Sequence, residues 1–187
     1  MNHNQALTRK LVLTALLAAL VVVGSALRIT LPVAIGSTTS FHLGNILCAL
    51  SGLLLGPWWG ALAAAMGSAI YDMLNPLYLP EAWITFLTKG AYALAVGLVV
   101  LPTRGSWSYP RALVATVTGA LIYGVLYLSK GFFYDGLLIM NLSWDSAIWP
   151  VVDKLPATGF NAAVAIVFAP ILAISIRGAL KRNHLLS

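Results

Sequence analysis

The sequence predicts an all-α integral membrane protein, a six-transmembrane-helix bundle with N and C termini cytoplasmic, and three observations carry that expectation. The first is composition: 60% of the 187 residues are hydrophobic and 9% are charged, with a mean hydropathy of +0.90. A soluble domain carries about 25% charged residues, so this chain lacks the polar side chains to cover a water-facing surface. The second is periodic apolar runs, at about 9–27, 42–56, 59–75, 82–102, 112–130 and 156–176. A transmembrane helix needs about 20 mostly apolar residues. Six spans with short connections therefore fill the chain, and 1–187 reads as a single integral membrane domain. The third is the asymmetry of Lys and Arg. Arg9 and Lys10 precede the first span, Arg104 and Arg111 flank the fourth and fifth, and Arg177, Lys181 and Arg182 follow the sixth. Six spans put all of these on one side, and the positive-inside rule makes that side cytoplasmic.

The first run is too long for a signal-peptide core, and no small-residue cleavage site closes it, so it reads as a retained helix. Within it Ala15 and Ala19 form a small-xxx-small pair, a pattern that lets helices approach closely. The second run is short and ends at Gly56-Pro57, where proline forces a break. "GLLLGPWWG" places Gly52, Gly56 and Gly60 at four-residue spacing. Because Pro57 interrupts the register, the repeat marks a tight inner turn rather than a dimerisation face. The sixth run is preceded by "SWDSAIWPVVDKLP", which reads as a short helix lying at the surface. The loops at 28–41, 76–81 and 131–155 then face outward. Residues 31–41, "LPVAIGSTTSF", combine proline, glycine and hydroxyl residues as a lid would. The single cysteine, Cys48, lies in an apolar run and forms no internal disulfide. The net charge of +6 is a topology signal and not a nucleic-acid footprint.

Polar groups inside the spans carry the functional expectation. Asp72 ends the third span and Lys89 lies about seven residues, or roughly 10 Å, below the start of the fourth. A charge at that depth normally faces the bundle interior or a water-filled cavity. Lys89 has three readings: a structural pair with Asp72, a side chain snorkelling to the interface, or a functional cation. The outer ends also carry His42, Asn45, Tyr71, Asn75, Tyr78, Trp83, Thr85, Thr88, Asn141, Trp144, Trp149 and Asn161. Aromatics at an interface are expected as a belt. Amides and hydroxyls a turn or two inside the same ends describe a polar-aromatic cavity opening outward, suited to a small amphipathic ligand. The substrate-binding candidates are His42, Asn45, Asp72, Asn75, Tyr78, Trp83, Thr85, Lys89, Trp144 and Asn161. No catalytic residue, metal or cofactor is expected.

The stretch "FHLGNILCALSGLLLGPWWGALAAAMGSAIYDMLNPLY…ITFLTKG" resembles the substrate-binding (S) component of energy-coupling factor (ECF) transporters, closest to the riboflavin-type branch. The family pattern is a polar start to the second helix, "aGlllGPxxG", a small-residue helix ending in Asp, and "TfxxKG" opening the fourth span. Gly52, Gly56-Pro57, Gly60, Gly67-Ser68, Asp72, Thr85-Phe86 and Lys89-Gly90 match it, over about residues 41–97. The resemblance implies a six-helix vitamin binder of a prokaryotic cell membrane that captures substrate at the outer face. It then docks on a membrane coupling subunit driven by two ATPase subunits. It also implies that the alanine-xxx-alanine face, here Ala15 and Ala19, is the docking surface. The chain has no G-x-x-x-x-G-K-[ST] phosphate loop, so hydrolysis would belong to those separate subunits. After Asp72, "MLNPLYLPEAW" departs from the riboflavin pattern, and the ligand stays open among riboflavin, cobalamin, pantothenate and other vitamin-like molecules.

Three other readings fit less well. A stand-alone secondary transporter or channel needs inverted repeats or a polar path right across the membrane. The sequence shows no internal repeat, and the inner halves of its spans are nearly bare of polar groups. An intramembrane protease needs a serine–histidine pair or paired aspartates, yet His42 is the only non-terminal histidine and Asp72 the only aspartate clearly within a span. A purely structural subunit leaves the outward polar cluster unexplained.

Overall fold

A computed structural model describes residues 3–32, 38–103 and 107–182. Helix α1 spans His3–Ala26 and is followed by two antiparallel strands, β1 (Arg28–Pro32) and β2 (Thr38–His42). Then come α2 (Gly44–Leu74), a 3-10 turn at Leu79–Glu81, α3 (Ala82–Val100), α4 (Tyr109–Lys130) with a π-helical continuation at Gly131–Ile139, and α5 (Trp149–Arg182). Among the described residues, five helical segments are long and apolar enough to cross a membrane: Asn4–Ala26, Gly44–Leu74, Leu79–Thr103, Tyr109–Ile139 and Trp149–Ala179. Only helices and closed barrels satisfy their backbone hydrogen bonds in lipid, and this protein is a multi-pass helical one.

The second of those segments is folded back on itself. Gly56 leaves the helix at φ 77 and ψ −171, a conformation glycine adopts without a Cβ clash. Pro57 follows and supplies no N–H to continue the ladder. The consequence is a hairpin whose arms, 44–55 and 57–74, run antiparallel. Cys48 Sγ lies 3.6 Å from Ser68 Oγ although 20 residues separate them. A straight helix would hold the two about 30 Å apart. A Cβ added to Gly60 would lie 2.7 Å from the Gly52 Cα, so the outer glycines of the repeat let the two arms close at their apex. Gly56 with Pro57 is thus a tight turn, as the sequence implies.

The hairpin is central. It packs against α1, α3 and α5, while α4 closes the ring between α3 and α5. Each flanking helix buries a stripe at helical spacing: Thr14, Leu17 and Val21 on α1, Lys89, Tyr92, Val96 and Val100 on α3, and Ala157, Asn161, Ala165, Ala169 and Ala173 on α5. The alanines and glycines bring backbones close, as helix packing in lipid requires. The outward faces carry exposed Leu, Val, Ile and Phe, which suits lipid contact.

Three expectations need correction. The 28–41 segment is not simply a loop. Arg28 pairs with His42 and Ile29 with Phe41 in a short ladder, while residues 33–37, the middle of the expected lid, lie outside the described residues. The fifth span does not stop at 130, because its helix continues through the π-helical turns to Ile139. "SWDSAIWPVVDKLP" forms no separate surface helix. A turn at 144–148 leads directly into α5 at Trp149, with Pro150 in the first turn, where a missing N–H costs nothing. Pro156 and Pro170 lie inside α5, as membrane helices tolerate. Of the basic anchors, Arg104 falls outside the described residues.

Candidate ligand-binding site

A cavity of about 230 Å³ opens at the end of the bundle where β1–β2, the 75–81 connection and the π-helical turns converge. Five of the expected residues line it: His42, Asp72, Tyr78, Thr85 and Lys89. Lys89 comes off the buried stripe of α3 and is 5% exposed, so it does not snorkel to the interface. Its Nζ donates to Asn45 Oδ1 and stands 3.9 Å from the centre of the Tyr123 ring. Asn45, buried at the start of α2, thus takes the place that Asp72 had in the paired reading. The Asp72 carboxyl lies near Thr85, one helix away, and both line the cavity.

Arg28 forms the opposite wall. Its Nε donates to the Ser25 carbonyl at 2.8 Å and its Nη1 to Ser40 Oγ at 3.5 Å. The guanidinium lies 4.1 Å from the centre of the Tyr71 ring and 4.7 Å from that of Tyr78, a cation–π arrangement. His42 sits between the two cations. Burial first, then the Lys89 ammonium and the Arg28 guanidinium, hold its imidazole well below the usual pKa of 6.5. Gly44 N–H donates to His42 Nδ1 at 3.1 Å, which leaves the proton of the neutral ring on Nε2.

The third wall is an ion-paired cluster, three of whose members, Glu81, Asp135 and Lys154, fall in the segments expected as outward loops. Lys130 pairs with Glu81 at 2.6 Å and with Asp135 at 2.8 Å, and Lys154 pairs with the same Asp135. Asp135 comes from the π-helical turns, Glu81 from the 3-10 turn, and the lysines from α4 and α5. One carboxylate therefore ties three elements together around the mouth. Tyr92, Tyr123 and Tyr127 stack in succession with centroids 5.6 and 5.5 Å apart, and Tyr123 and Tyr127 line the cavity. A small side chamber lies against Ser40, His42, Tyr123, Tyr127, Thr158 and Asn161. Its Thr158 hydroxyl is buried without a hydrogen-bond partner.

The remaining expected residues surround the cavity without all reaching it. Asn161 reaches the side chamber and latches β2 to α5: its Oδ1 accepts from His42 N–H at 3.0 Å and its Nδ2 donates to the Ser40 carbonyl at 2.8 Å. Asn75 accepts from Leu77 N–H at 3.1 Å and donates to Tyr71 Oη at 3.3 Å, shaping the turn after α2. Trp83 is exposed and meets Tyr134 edge-on. Trp144 is exposed and packs on Phe132 and Phe133. Asn141 has φ 53, a left-handed turn position that asparagine tolerates. On α1, Ala15 and Ala19 are exposed, beside the exposed Leu16 and Leu20.

Comparison with known proteins agrees with this architecture. An uncharacterized protein in the gap 3′ region of Pyrococcus woesei is 30% identical over 95 residues, covering 51% of this chain and 61% of that relative's length. The match thus spans less than two thirds of the relative. The family model described as "ECF-type riboflavin transporter, S component" matches residues 5–178, nearly the whole chain and every element that builds the cavity. The chain belongs to the ECF-type riboflavin transporter S-component family.

Proposed function

We propose that this protein captures a vitamin or vitamin-like molecule, riboflavin foremost, from outside a prokaryotic cell. It passes the ligand inward once docked on an ECF coupling subunit and two ATPase subunits. The observation that carries this reading is the cavity: a polar, aromatic chamber under three connections, with a buried lysine in its wall. Counting the arms of the α2 hairpin separately gives six spans with both termini cytoplasmic. That reading is supported by Arg9, Lys10, Arg111, Arg177 and Arg182, which sit at the helix ends away from the cavity, as the positive-inside rule asks. β1 and β2 serve as the described part of the lid.

Titration of the purified protein with riboflavin is the direct test. Saturable binding of one molecule per chain is expected, and no heat or fluorescence change at millimolar riboflavin would overturn the ligand. The docking half is separable. Ala15 and Ala19 present a flat exposed face on α1, and bulky side chains there would block close helix approach. The Ala15→Trp, Ala19→Trp double variant should bind riboflavin normally while ATP-driven uptake by the assembled complex falls to background. Normal uptake in a well-assembled complex would move the docking surface elsewhere.

A further inference from the structure

The strand pair has two faces, and only one of them belongs to the cavity. Residues directly opposite on an antiparallel ladder share a face, and the faces alternate along each strand. Arg28 pairs with His42 and Ile29 with Phe41. Arg28, Ser40 and His42 accordingly line the cavity at the end of the bundle. Ile29 and Phe41 turn the other way, into a second, open cleft of about 420 Å³ whose walls include Leu27, Leu43, Phe160 and Val164. The ribbon is thus a partition, polar toward the cavity and apolar toward the cleft. Phe41 meets Phe160 of α5 edge-on, with ring centres 4.7 Å apart. Ile29 beside it is 67% exposed, so protein covers the apolar face at one strand only.

The cleft lies where the ring of helices is joined indirectly. Both α1 and α5 pack on the α2 hairpin and on β2, which bridges them. Depth identifies what reaches this place. Ala26, at the α1 edge of the cleft, and Phe160, on α5, each stand 17 residues from an arginine at the far end of their own helix, Arg9 and Arg177. That is about 26 Å at helical rise. The hydrocarbon core of a bilayer is about 30 Å thick, so arginines at one boundary put the cleft inside the opposite leaflet. Its walls also run on into the lipid-facing sides of the bundle, through exposed Val23 and Leu27 on one side and Phe160 and Phe168 on the other. A water molecule needs about two to four polar partners, which a wall of aliphatic and aromatic side chains hardly offers. A void forfeits the dispersion contacts of its lining. A flexible hydrocarbon chain meets both conditions. We propose that the cleft between α1 and α5 is a phospholipid site, in which one acyl chain lies against Ile29, Phe41 and Phe160 and backs the apolar face of the strand pair.

The test uses the full chain, reconstituted in phosphatidylcholine vesicles and then exchanged into a mild detergent that strips the surrounding lipid. Native mass spectrometry should show one phosphatidylcholine retained per chain. Val164→Trp fills the cleft and Ile29→Asn makes its exposed wall polar, and each should lose the retained lipid. Leu121→Asn, on the exposed side of α4, should keep it. Should Val164→Trp fail to fold, Ile29→Asn decides alone, since an exposed side chain is the milder place for a change. Hydrogen exchange gives a second readout: the amides of 38–42 should exchange more slowly in lipid-bearing protein than in stripped protein. No retained lipid, detergent retained in its place, retention that survives the cleft variants, or retention that Leu121→Asn abolishes equally overturns the site. Equal exchange at 38–42 with lipid bound overturns the backing of the strands. None of these outcomes depends on which molecule occupies the cavity, so the riboflavin reading stands or falls separately.

Discussion

Two lysine-bearing walls line the cavity, and they solve the same problem differently. On the α4–α5 side, Lys130 and Lys154 share Asp135, with Glu81 completing the set. On the α3 side, Lys89 has an amide and an aromatic face. Both arrangements keep an ammonium group out of water, but only the first neutralises it. Carboxylate partners make the first wall a clamp that holds three elements at the mouth. Neutral partners make the second a donor whose charge is still open to a ligand. Burial alone, then, does not mark the functional lysine; the chemistry of its partners does.

The largest effect expected from this contrast is on the clamp. Asp135→Asn keeps the shape of the side chain and removes the one carboxylate that two lysines share. Removing one partner of a buried pair leaves an uncompensated charge and costs about 3–5 kcal/mol. The variant should lose most of its thermal stability in detergent. Adding Lys154→Met should recover part of it, because one stranded cation is then gone. A melting temperature for Asp135→Asn within a degree or two of the parent would show that the cluster is solvated and not a clamp.

The Lys89 wall should respond in affinity and hardly in stability. Lys89→Met keeps most of the volume and removes the donors. Losing a hydrogen bond from a charged group costs about 1.5–3 kcal/mol, or roughly ten- to a hundredfold in affinity. With riboflavin as the ligand, calorimetry should show that loss in protein that still melts normally. Normal affinity in a protein that melts lower would instead place Lys89 with the clamp, as a packing residue.

How far each wall was legible in the sequence follows the same division. The spans are legible because a membrane helix must be apolar over its own length, a local property. The break at Gly56-Pro57 is legible because both residues act on their own backbone. Lys89 stands out because it interrupts an apolar run. The Asp135 clamp does not. Its members sit at helix ends where isolated charges are ordinary, and Asp135 and Lys154 are 19 residues apart, so their pairing depends on how α4 and α5 dock. "GFFYDGLLI" reads as a connection because its glycines and its aspartate interrupt the apolar pattern, and the π-helical turns there depend on that docking too. The strand pair is hidden for a similar reason: proline and glycine in 31–41 signal a loop, while its ladder is five residues on each side. Asn45 was expected to meet the ligand, and the structure shows what the sequence could not, that it orients Lys89.

His42 lies where the two cations meet, and it gives the finest test of the comparison. Burial, Lys89 and Arg28 lower its pKa in the folded protein, whereas an unfolded chain leaves it near 6.5. Below that value the unfolded state takes up a proton that the folded state refuses, so stability falls as pH falls. The contribution is complete above about pH 6.5 and is lost progressively as pH drops toward the lowered folded pKa. The limiting slope is about 1.4 kcal/mol per pH unit, so the loss between pH 6.5 and 5.5 should be about 1 kcal/mol. His42→Asn retains an acceptor for Gly44 N–H but does not titrate, and its melting temperature should be flatter over that interval. Removing a neighbouring cation sharpens the test: in Lys89→Met one cause of the lowered pKa is gone, and the slope should shrink without vanishing, since burial and Arg28 remain. Equal slopes in the parent, His42→Asn and Lys89→Met would show that His42 titrates as it does in water, and that Lys89 and Arg28 are screened from it.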